Sequence, residues 1–419
     1  MQSKALIIVI LGITVCSSAF GASNSDRRTV PLAAAVAERP QGAGYPEPDA
    51  FEDYKWGQAY ANQQQYEKAI EAFNKAESKG LKLYELFVFR GYAYHETKQY
   101  QKAISDASKA IEFEPARMLA YELRAGVHYA MGNSAEAIKE FTDGLTKVEG
   151  AEKAKLQKAR GIFLLKLGRR EDAISDLSQA VTLGHTSAVL YHYRGHAYSE
   201  LGRYELAIQD YSEALKIEPD HDRSLRGRGW VYGCIGEFEK SLVDFNQLLE
   251  KSPKDVLTHG MRGYVRLEAG DREGGLTDLI YALEHGSKDP WTFLNAANAY
   301  YLHENMTKAL EVNGHGLAIG DADVESVLQF QRGLLLLVSG QKNEATRFYK
   351  KAETGAFKKP DPLELQEAIV DLKEAMHFHP HIADAAAAIL KELEKTLSHT
   401  QAPPQPRQEQ CQRLRKRGE

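Results

Sequence analysis

Along most of the chain, apolar residues recur every three or four positions in short runs, which is the spacing of one face of an amphipathic α-helix. Residues 188–221 show the pattern most clearly, as two such runs joined by a short polar stretch. Small residues (Gly195, Ala207 and Ala214) lie where two helices must touch. Pro219 ends the second run because its ring blocks the preceding turn and it has no N–H group to donate. The stretch therefore predicts two short helices joined by a tight turn.

The same block recurs along the chain at steps of 34 residues, with two steps of 36. The nine residues equivalent to Gly195 are Gly57, Gly91, Ala125, Gly161, Gly195, Gly229, Gly263, Ala297 and Gly333. Twelve positions later stand Ala69, Ala103, Ala137, Ala173, Ala207, Ser241, Gly275, Ala309 and Ala345. Small side chains at both positions allow close approach of helix backbones. A fixed period of this size predicts one array of stacked helical hairpins, not several independent cores.

The block resembles the tetratricopeptide repeat (TPR), whose pattern is Gly-x-x-Tyr, then Ala-x-x-x-Phe, then Pro at a 34-residue spacing. The second, fifth and sixth blocks match best, with Tyr94, Tyr198 and Tyr232 and the terminal prolines Pro115, Pro219 and Pro253. The resemblance implies an all-α fold, a right-handed superhelical α-solenoid of about nine helix-turn-helix repeats with C-terminal capping helices. The implied repeats are 50–83, 84–117, 118–153, 154–187, 188–221, 222–255, 256–289, 290–325 and 326–357.

Beyond the repeats, residues 358–397 predict one degenerate repeat helix and one amphipathic capping helix that shields the apolar end of the array. Residues 22–49 are rich in Ala, Pro and Gly and predict a flexible linker. Residues 398–419 are rich in Gln and Pro and end in a basic cluster, which is typical of a disordered tail.

The first 21 residues predict a secretory signal peptide. Lys4 precedes an apolar run over residues 5–15, which is too short to cross a membrane, and Ala19 and Gly21 are small residues suited to a cleavage site. We therefore expect an exported protein, periplasmic or secreted. Cys16 ends a stretch that resembles a bacterial lipobox, so an outer-membrane lipoprotein is the alternative, and membrane association is expected only if Cys16 is lipidated. In a eukaryote the chain would be lumenal.

Composition argues against several classes of function. The chain is 43% hydrophobic and 26% charged with a net charge of −5, which gives no basic stripe for nucleic acid. No phosphate-binding loop, nucleophile elbow or zinc-protease motif is present, so we expect no enzymatic activity and no cofactor. Two histidine groupings have spacings that could hold a metal: His192 with His196, and the cluster at residues 377–381. Polar groove or corner residues remain the favoured interpretation of both.

A column of charges accompanies the repeats. Seven repeats place Arg directly before the small residue, and six of these have an acidic residue sixteen positions later. Since residues sixteen apart face each other across an antiparallel hairpin, we expect structural ion pairs, with an anion-binding stripe as the alternative. The six predicted pairs are Arg90–Asp106, Arg124–Glu140, Arg160–Asp176, Arg194–Asp210, Arg228–Asp244 and Arg262–Asp278. Arg332, which faces Phe348, is the seventh arginine and has no acidic counterpart.

The resemblance also implies a concave groove lined by the first helix of each repeat, which binds peptides. The residues it assigns to partner binding are His192, Tyr193, His196, Arg223, Arg226, Trp230, Trp291, Asn295, Asn298 and Tyr301. In repeats one to three it assigns Tyr54, Gln58, Val88, Phe89, Tyr92, Glu122 and Tyr129 to the same groove. Aromatic and Arg side chains contribute most at protein interfaces. We therefore expect a non-enzymatic scaffold for protein or peptide partners; the alternatives are an extracytoplasmic chaperone for unfolded proteins and, with less support, a metal-binding or enzymatic protein.

Overall fold

The computed structural model describes residues 48–322, 324–354 and 362–400. In these ranges the chain forms twenty α-helices and one short 3-10 helix, Pro380–Ile382, with no β-strand. The signal peptide, Cys16, nearly all of the predicted linker and residues 401–419 of the predicted tail lie outside the described residues. Among the described helices, none combines the length and the apolar composition needed to span a bilayer.

Eighteen helices form nine hairpins, which confirms the predicted α-solenoid of tetratricopeptide-type repeats. The first helices of the hairpins are α1 (Pro48–Asn62), α3 (Tyr84–Glu96), α5 (Leu119–Ala130), α7 (Gly150–Lys166), α9 (Ala188–Glu200), α11 (Asp222–Cys234), α13 (Val256–Glu268), α15 (Pro290–Leu302) and α17 (Glu325–Val338). The second helices are α2 (Tyr66–Ser78), α4 (Tyr100–Phe113), α6 (Ser134–Leu145), α8 (Arg170–Thr182), α10 (Tyr204–Ile217), α12 (Phe238–Lys251), α14 (Arg272–Glu284), α16 (Met306–Ile319) and α18 (Lys342–Thr354).

Two further helices follow, α19 (Pro362–Phe378) and α20 (Ala383–Thr400). The observed helices extend past some predicted limits: α1 starts inside the predicted linker, α7 starts four residues before the predicted repeat, and α20 continues three residues into the predicted tail. Helix ends shift because they depend on local packing as well as on the repeat pattern.

The small residues of the pattern allow each hairpin to close. A Cβ atom built on Gly57 would lie 2.5 Å from the ring of Phe73, and one built on Gly333 would lie 2.7 Å from the ring of Tyr349. Such distances are far inside van der Waals contact, so a larger residue would force the two helices apart. The alanines twelve positions later, such as Ala69 and Ala207, are completely buried.

A left-handed residue joins the two helices of every hairpin. All nine have φ between 59° and 88°: Gln64, Lys98, Gly132, Gly168, Gly202, Gly236, Gly270, Glu304 and Gly340. This conformation turns the chain sharply and favours glycine.

Two compact units make up the chain, and the boundary between them falls within α9, between Arg194 and Gly195. In the N-terminal unit the core is built from residues such as Tyr54, Phe73 and Leu123. In the C-terminal unit, one core cluster contains Trp230 and Tyr264. A second cluster there joins α17 and α18 to α19 and α20.

Candidate functional site

Five of the six predicted arginine pairs form inter-helix ion pairs. Arg90 Nε donates to Asp106 Oδ2 at 2.7 Å and Nη2 donates to Asp106 Oδ1 at 2.9 Å, with both side chains buried. Arg160–Asp176, Arg228–Asp244 and Arg262–Asp278 repeat this two-pronged geometry at 2.6–2.9 Å, and Arg124 Nε donates to Glu140 at 2.6 Å. Such pairs are strong because the planar guanidinium matches the carboxylate geometry.

Each of these arginines also reaches a third helix, the second helix of the preceding repeat. The acceptors are Asn74 for Arg90, Ser108 for Arg124, Thr142 for Arg160, Ser178 for Arg194, Ser212 for Arg228 and Asn246 for Arg262, at 2.8–3.3 Å. The column therefore ties each of repeats two to seven to the repeat before it. The sixteen-residue spacing within one hairpin does not reveal this second partner.

Arg332 follows another arrangement. Its guanidinium lies 5.3 Å from the centre of the Phe348 ring and donates to the Leu310 carbonyl at 2.8 Å. It also reaches Asn313, which replaces the usual large apolar residue and is fully buried. Asn313 donates to the Leu328 carbonyl and to the Gln331 side chain, so the substitution for an apolar residue leaves a hydrogen-bonded network in the core.

Several residues assigned to the partner groove are buried, which corrects that assignment. Trp230 is 2% exposed and its ring packs 5.6 Å from that of Tyr264, while Trp291 is 5% exposed in the same core cluster. His192 and Asn295 are also buried. The repeat positions of Trp230 and Trp291 are typical of groove residues. A tryptophan side chain is nevertheless large enough to pack against the neighbouring repeat and become buried there.

Other assigned residues contact neighbouring elements. Arg226 Nη2 lies 2.6 Å from Asp255 Oδ2, and Nε lies 3.3 Å from the Thr258 hydroxyl. Burial alone would raise the pKa of the Asp255 carboxyl. The Arg226 charge and the hydrogen bonds from Arg226 and Thr258 outweigh burial, so the pKa of Asp255 is below its usual value. Arg226 therefore stabilises the contact between α11 and α13.

The remaining assigned residues are partly buried. Asn298 accepts a hydrogen bond from Gln331 at 2.6 Å, and the Tyr301 hydroxyl lies 2.9 Å from His379 Nε2.

Tyr193, His196 and Arg223 are half-buried. His196 Nδ1 lies 3.9 Å from Glu200, and His192 packs its ring edge-on against Tyr193. Within the described ranges, no group of three or more His, Cys, Asp or Glu side chains is arranged to hold a metal ion.

A cluster of polar groups lies on the first helices of the N-terminal unit. Its members, which we call the groove cluster, are Tyr92 on α3, Glu122 on α5, Lys158 on α7 and His185 in the loop before α9. In the part of the chain that the structure describes, none of the four side chains forms a hydrogen bond or an ion pair. The Tyr92 hydroxyl and His185 Nε2 are nevertheless shielded from solvent. The resemblance to the tetratricopeptide repeat assigned Tyr92 and Glu122 to the groove. The sequence did not point to Lys158 or His185 as members of the same site.

Burial shifts the pKa of each of these four groups, and members of the cluster also act on one another. Burial raises the pKa of Tyr92, and the nearby Glu122 raises it further. Burial also raises the pKa of Glu122, against the opposing effect of Lys158, and it lowers the pKa of Lys158. The pKa of His185 is lowered by burial and by Lys158, so this imidazole is neutral near pH 7.

Charged residues around the groove cluster are paired. Arg117 lies 2.5 Å from Glu85 and 4.1 Å from the centre of the Tyr84 ring. Glu152 accepts a hydrogen bond from the Met118 amide and lies 3.0 Å from Lys155. The arrangement therefore leaves the Glu122 carboxylate and the Lys158 ammonium without an ion pair, beside a phenol and an imidazole whose polar atoms are buried.

Comparison with known families gives two matches. Residues 188–221 and residues 54–117 each match a model described as the tetratricopeptide repeat. These segments are tetratricopeptide repeats. Comparison with curated protein sequences found no match.

Solved structures of TPR proteins are similar to this chain. A TPR protein from Parabacteroides merdae is 21% identical, with 70% of this chain and 98% of that chain covered and a TM-score of 0.45. YrrB, described as a TPR protein with an unusual peptide-binding site, is 16% identical over 45% of this chain and 96% of its own, with a TM-score of 0.39. Yeast Tom70 is 12% identical over 80% of this chain and 98% of its own, with a TM-score of 0.39.

Proposed function

We propose that this chain is a non-enzymatic scaffold that binds a peptide segment of a partner protein on α3, α5 and α7. TPR repeats generally mediate protein–protein interactions. The observation that carries the proposal is the groove cluster, in which Glu122 and Lys158 are partly buried without a hydrogen bond or a close ion pair among the described residues.

The energetics of burial support this assignment. A charge that has lost water without gaining a partner is unfavourable, and a ligand that supplies the missing hydrogen bonds removes that penalty. Glu122 can accept N–H groups, and Lys158 can bind an acidic side chain. A small number of such groups within an otherwise apolar surface is what fixes the orientation of a bound ligand. The partner segment therefore carries an acidic residue for Lys158 and a donor for Glu122.

We further propose that the chain acts outside the cytosol, on the strength of the apolar run and cleavage site in its first 21 residues. The partner is then a protein that lies in the same compartment outside the cytosol. Its recognition would take place after the signal peptide is removed.

Site-specific photo-crosslinking in the native host tests the binding site. A benzophenone amino acid replaces Tyr92 in one variant and Phe113 in the control, since Phe113 is 49% exposed and lies on α4, which carries no member of the groove cluster. We expect a discrete adduct from position 92 that the control does not give. Adding Glu122→Gln and Lys158→Gln should remove the adduct.

Three outcomes separate the alternatives. The same adducts from both positions would contradict a specific site on α3, α5 and α7. Adducts with many unrelated unfolded proteins would favour the chaperone alternative. An adduct that survives the loss of both charges would show that the groove cluster does not recognise the partner.

A further inference from the structure

Gly126 lies inside α5, where glycine lowers the folding equilibrium constant about fivefold relative to alanine because its backbone loses more freedom on folding. A Cβ atom added to Gly126 would meet no atom within 4 Å. Apart from Gly150, which starts α7 with a positive φ, every other glycine in the described helices has an atom within 3.2 Å of such a Cβ. Packing within the described chain therefore accounts for those glycines but not for Gly126.

The equivalents of Gly126 in the other repeats carry large side chains. Each stands directly after the small residue of the repeat pattern: Gln58, Tyr92, Ile162, His196, Trp230, Tyr264, Asn298 and Leu334. The resemblance to the tetratricopeptide repeat assigns five of these eight, including Tyr92, to the groove. Gly126 thus removes a side chain from the groove between the equivalent residues Tyr92 on α3 and Ile162 on α7.

Two side chains flank Gly126 along the same face of α5. Glu122 precedes it by four positions and Tyr129 follows it by three, so the three residues lie one above another on the helix. Glu122 and Gly126 are half-buried, whereas Tyr129 is 42% exposed. The Tyr129 ring packs edge-on against the ring of Phe163 on α7, with 5.1 Å between the ring centres. Gly126 therefore lies at the base of an open stretch between a carboxylate and an aromatic ring.

The choice of glycine over alanine at this position indicates how close a ligand comes. Alanine would stabilise α5 and would leave almost the same opening for a group that lies above the helix. Only a group in van der Waals contact with the helix backbone itself, within about 4 Å, requires the methyl group to be absent. The ligand atoms over Gly126 therefore lie directly against α5.

Glu122 indicates which atoms of the partner segment make this approach. Its carboxylate forms no hydrogen bond in the ranges that the structure describes, and an ionised carboxylate only accepts hydrogen bonds. An extended segment has main-chain N–H groups that are free to donate, whereas a helix uses most of its own internally. Glu122 and Gly126 together are therefore complementary to an extended main chain.

We propose that the partner segment crosses α5 in an extended conformation, with its main chain against Gly126, an N–H group donated to Glu122 and a side chain on the Tyr129 ring. Neighbouring helices lie about 8–10 Å apart and an extended chain advances about 3.3 Å per residue. The acidic residue that binds Lys158 on α7 is thus about three residues from the one over Gly126. This inference rests on the proposed function, because it assigns the conformation and register of the same segment.

Gly126→Ala tests the inference because its expected effects on stability and on binding have opposite signs. Urea denaturation of the full-length protein should give a folding equilibrium constant about fivefold higher, since the methyl group improves helix propensity and meets no atom. Gly227→Ala, whose Cβ would lie 2.5 Å from the Tyr211 ring, is the contrasting variant and should be less stable than the wild type. A Gly126→Ala protein that is less stable than the wild type would overturn the inference, since the chain itself would then need this glycine.

Photo-crosslinking from position 92 in the native host measures the effect on binding. Gly126→Ala should lower the fraction of the chain found in the discrete adduct at least fivefold, because the methyl group holds the partner main chain away from α5. Gly126→Leu should abolish the adduct, and the equivalent Leu334 shows that the repeat accepts leucine there. Ser105→Ala, on the exposed face of α4, also improves helix propensity and should leave the adduct unchanged.

The outcomes separate this inference from the proposed function. An adduct that Gly126→Ala leaves unchanged would overturn the extended main-chain contact and leave the peptide site intact. The absence of a discrete adduct from position 92 in the protein with Gly126 would overturn both.

Discussion

At the residue scale, Arg90 holds three helices together. Its guanidinium bonds to Asp106 on α4 at 2.7 Å, and to Asn74 and Glu77 on α2 at 2.8 and 2.5 Å. The Arg90 and Asp106 side chains are each only 4% exposed. Removing one member of such a pair leaves the other charge buried without its partner, which is strongly destabilising.

Arg90→Ala should therefore lower the free energy of unfolding by about 3 kcal/mol, measured by urea denaturation. The double variant Arg90→Met, Asp106→Leu should lose less, because it leaves no buried charge without a partner. Lys139→Ala, which removes an exposed ion pair with Glu136, serves as the control and should show no measurable change. A loss below 1 kcal/mol for Arg90→Ala would instead favour the anion-binding stripe.

The spacing of sixteen residues was enough to predict the arginine pairs. The sequence also contains a pattern for the polar side chains on the preceding repeat that accept hydrogen bonds from these arginines. Polar residues recur sixteen or eighteen positions before each of the six arginines that have an acidic counterpart, as at Asn74 and Thr142, whereas Ala296, which replaces an arginine, follows Ile280. A lone Ser or Asn on a helix usually faces water. These residues could therefore be recognised as partners of the arginines only once the stacking of the repeats was known. Likewise, the groove position of Trp230 did not reveal that its ring folds against Tyr264.

At the element scale, one backbone conformation recurs in all nine hairpin turns. Glycine fills it in six repeats, and Gln64, Lys98 and Glu304 fill it in the others with φ near 60°. A residue with a Cβ atom is disfavoured there by about 1 kcal/mol. At Gln99 the second helix α4 starts after this turn without a side-chain cap, whereas the Asp271 and Asn305 side chains cap α14 and α16.

Lys98→Gly should therefore raise the free energy of unfolding by about 0.5–1 kcal/mol, although glycine also loosens the unfolded chain. Gly236→Ala should lower it by about 1 kcal/mol, because the added Cβ meets no atom within 4 Å and only the backbone conformation opposes it. Thermal and urea denaturation measure both changes. Lys98→Ala is the control and should give no gain; a less stable Lys98→Gly variant would contradict the account.

Helix α19 shows the limit of sequence reasoning about elements. The sequence predicted a degenerate repeat helix at the start of residues 358–397, and the structure has α19 there, at Pro362–Phe378. Its acidic row at residues 364, 367 and 371 is the usual sign of a water-facing surface, yet those carboxyl groups are buried against α17. Which face of a helix is covered depends on where the preceding segment returns the chain, and amphipathic spacing does not encode that.

At the scale of the whole molecule, each unit offers a different surface. The N-terminal unit presents polar groups without partners among its described residues, on α3, α5 and α7. In the C-terminal unit, the groove of the last repeats is covered by α19. The regular repeat sets the scaffold, and the residues that differ between repeats set what each surface binds.

The proposed export predicts a processed chain in the native host. Signal-peptide cleavage after Gly21 should give a mature protein that begins at Ala22, and mass spectrometry of the N-terminal peptide detects it. Cys16→Ser should not change the amount recovered, because Cys16 lies in the removed segment. Retention of Met1 on a cytosolic protein would contradict export, and fatty-acid labelling that Cys16→Ser abolishes would favour the lipoprotein alternative.

The central proposal is that the groove cluster recognises a segment of a partner protein. Isothermal titration of the crosslinked partner segment against the wild type and against the Glu122→Gln, Lys158→Gln variant measures it directly. We predict at least tenfold weaker binding to the variant, about 1.4 kcal/mol, with a thermal stability equal to or above that of the wild type. A control with Lys75→Gln and Glu112→Gln, two exposed charges on α2 and α4, should bind as tightly as the wild type. Equal affinity for all three proteins would contradict the proposed site.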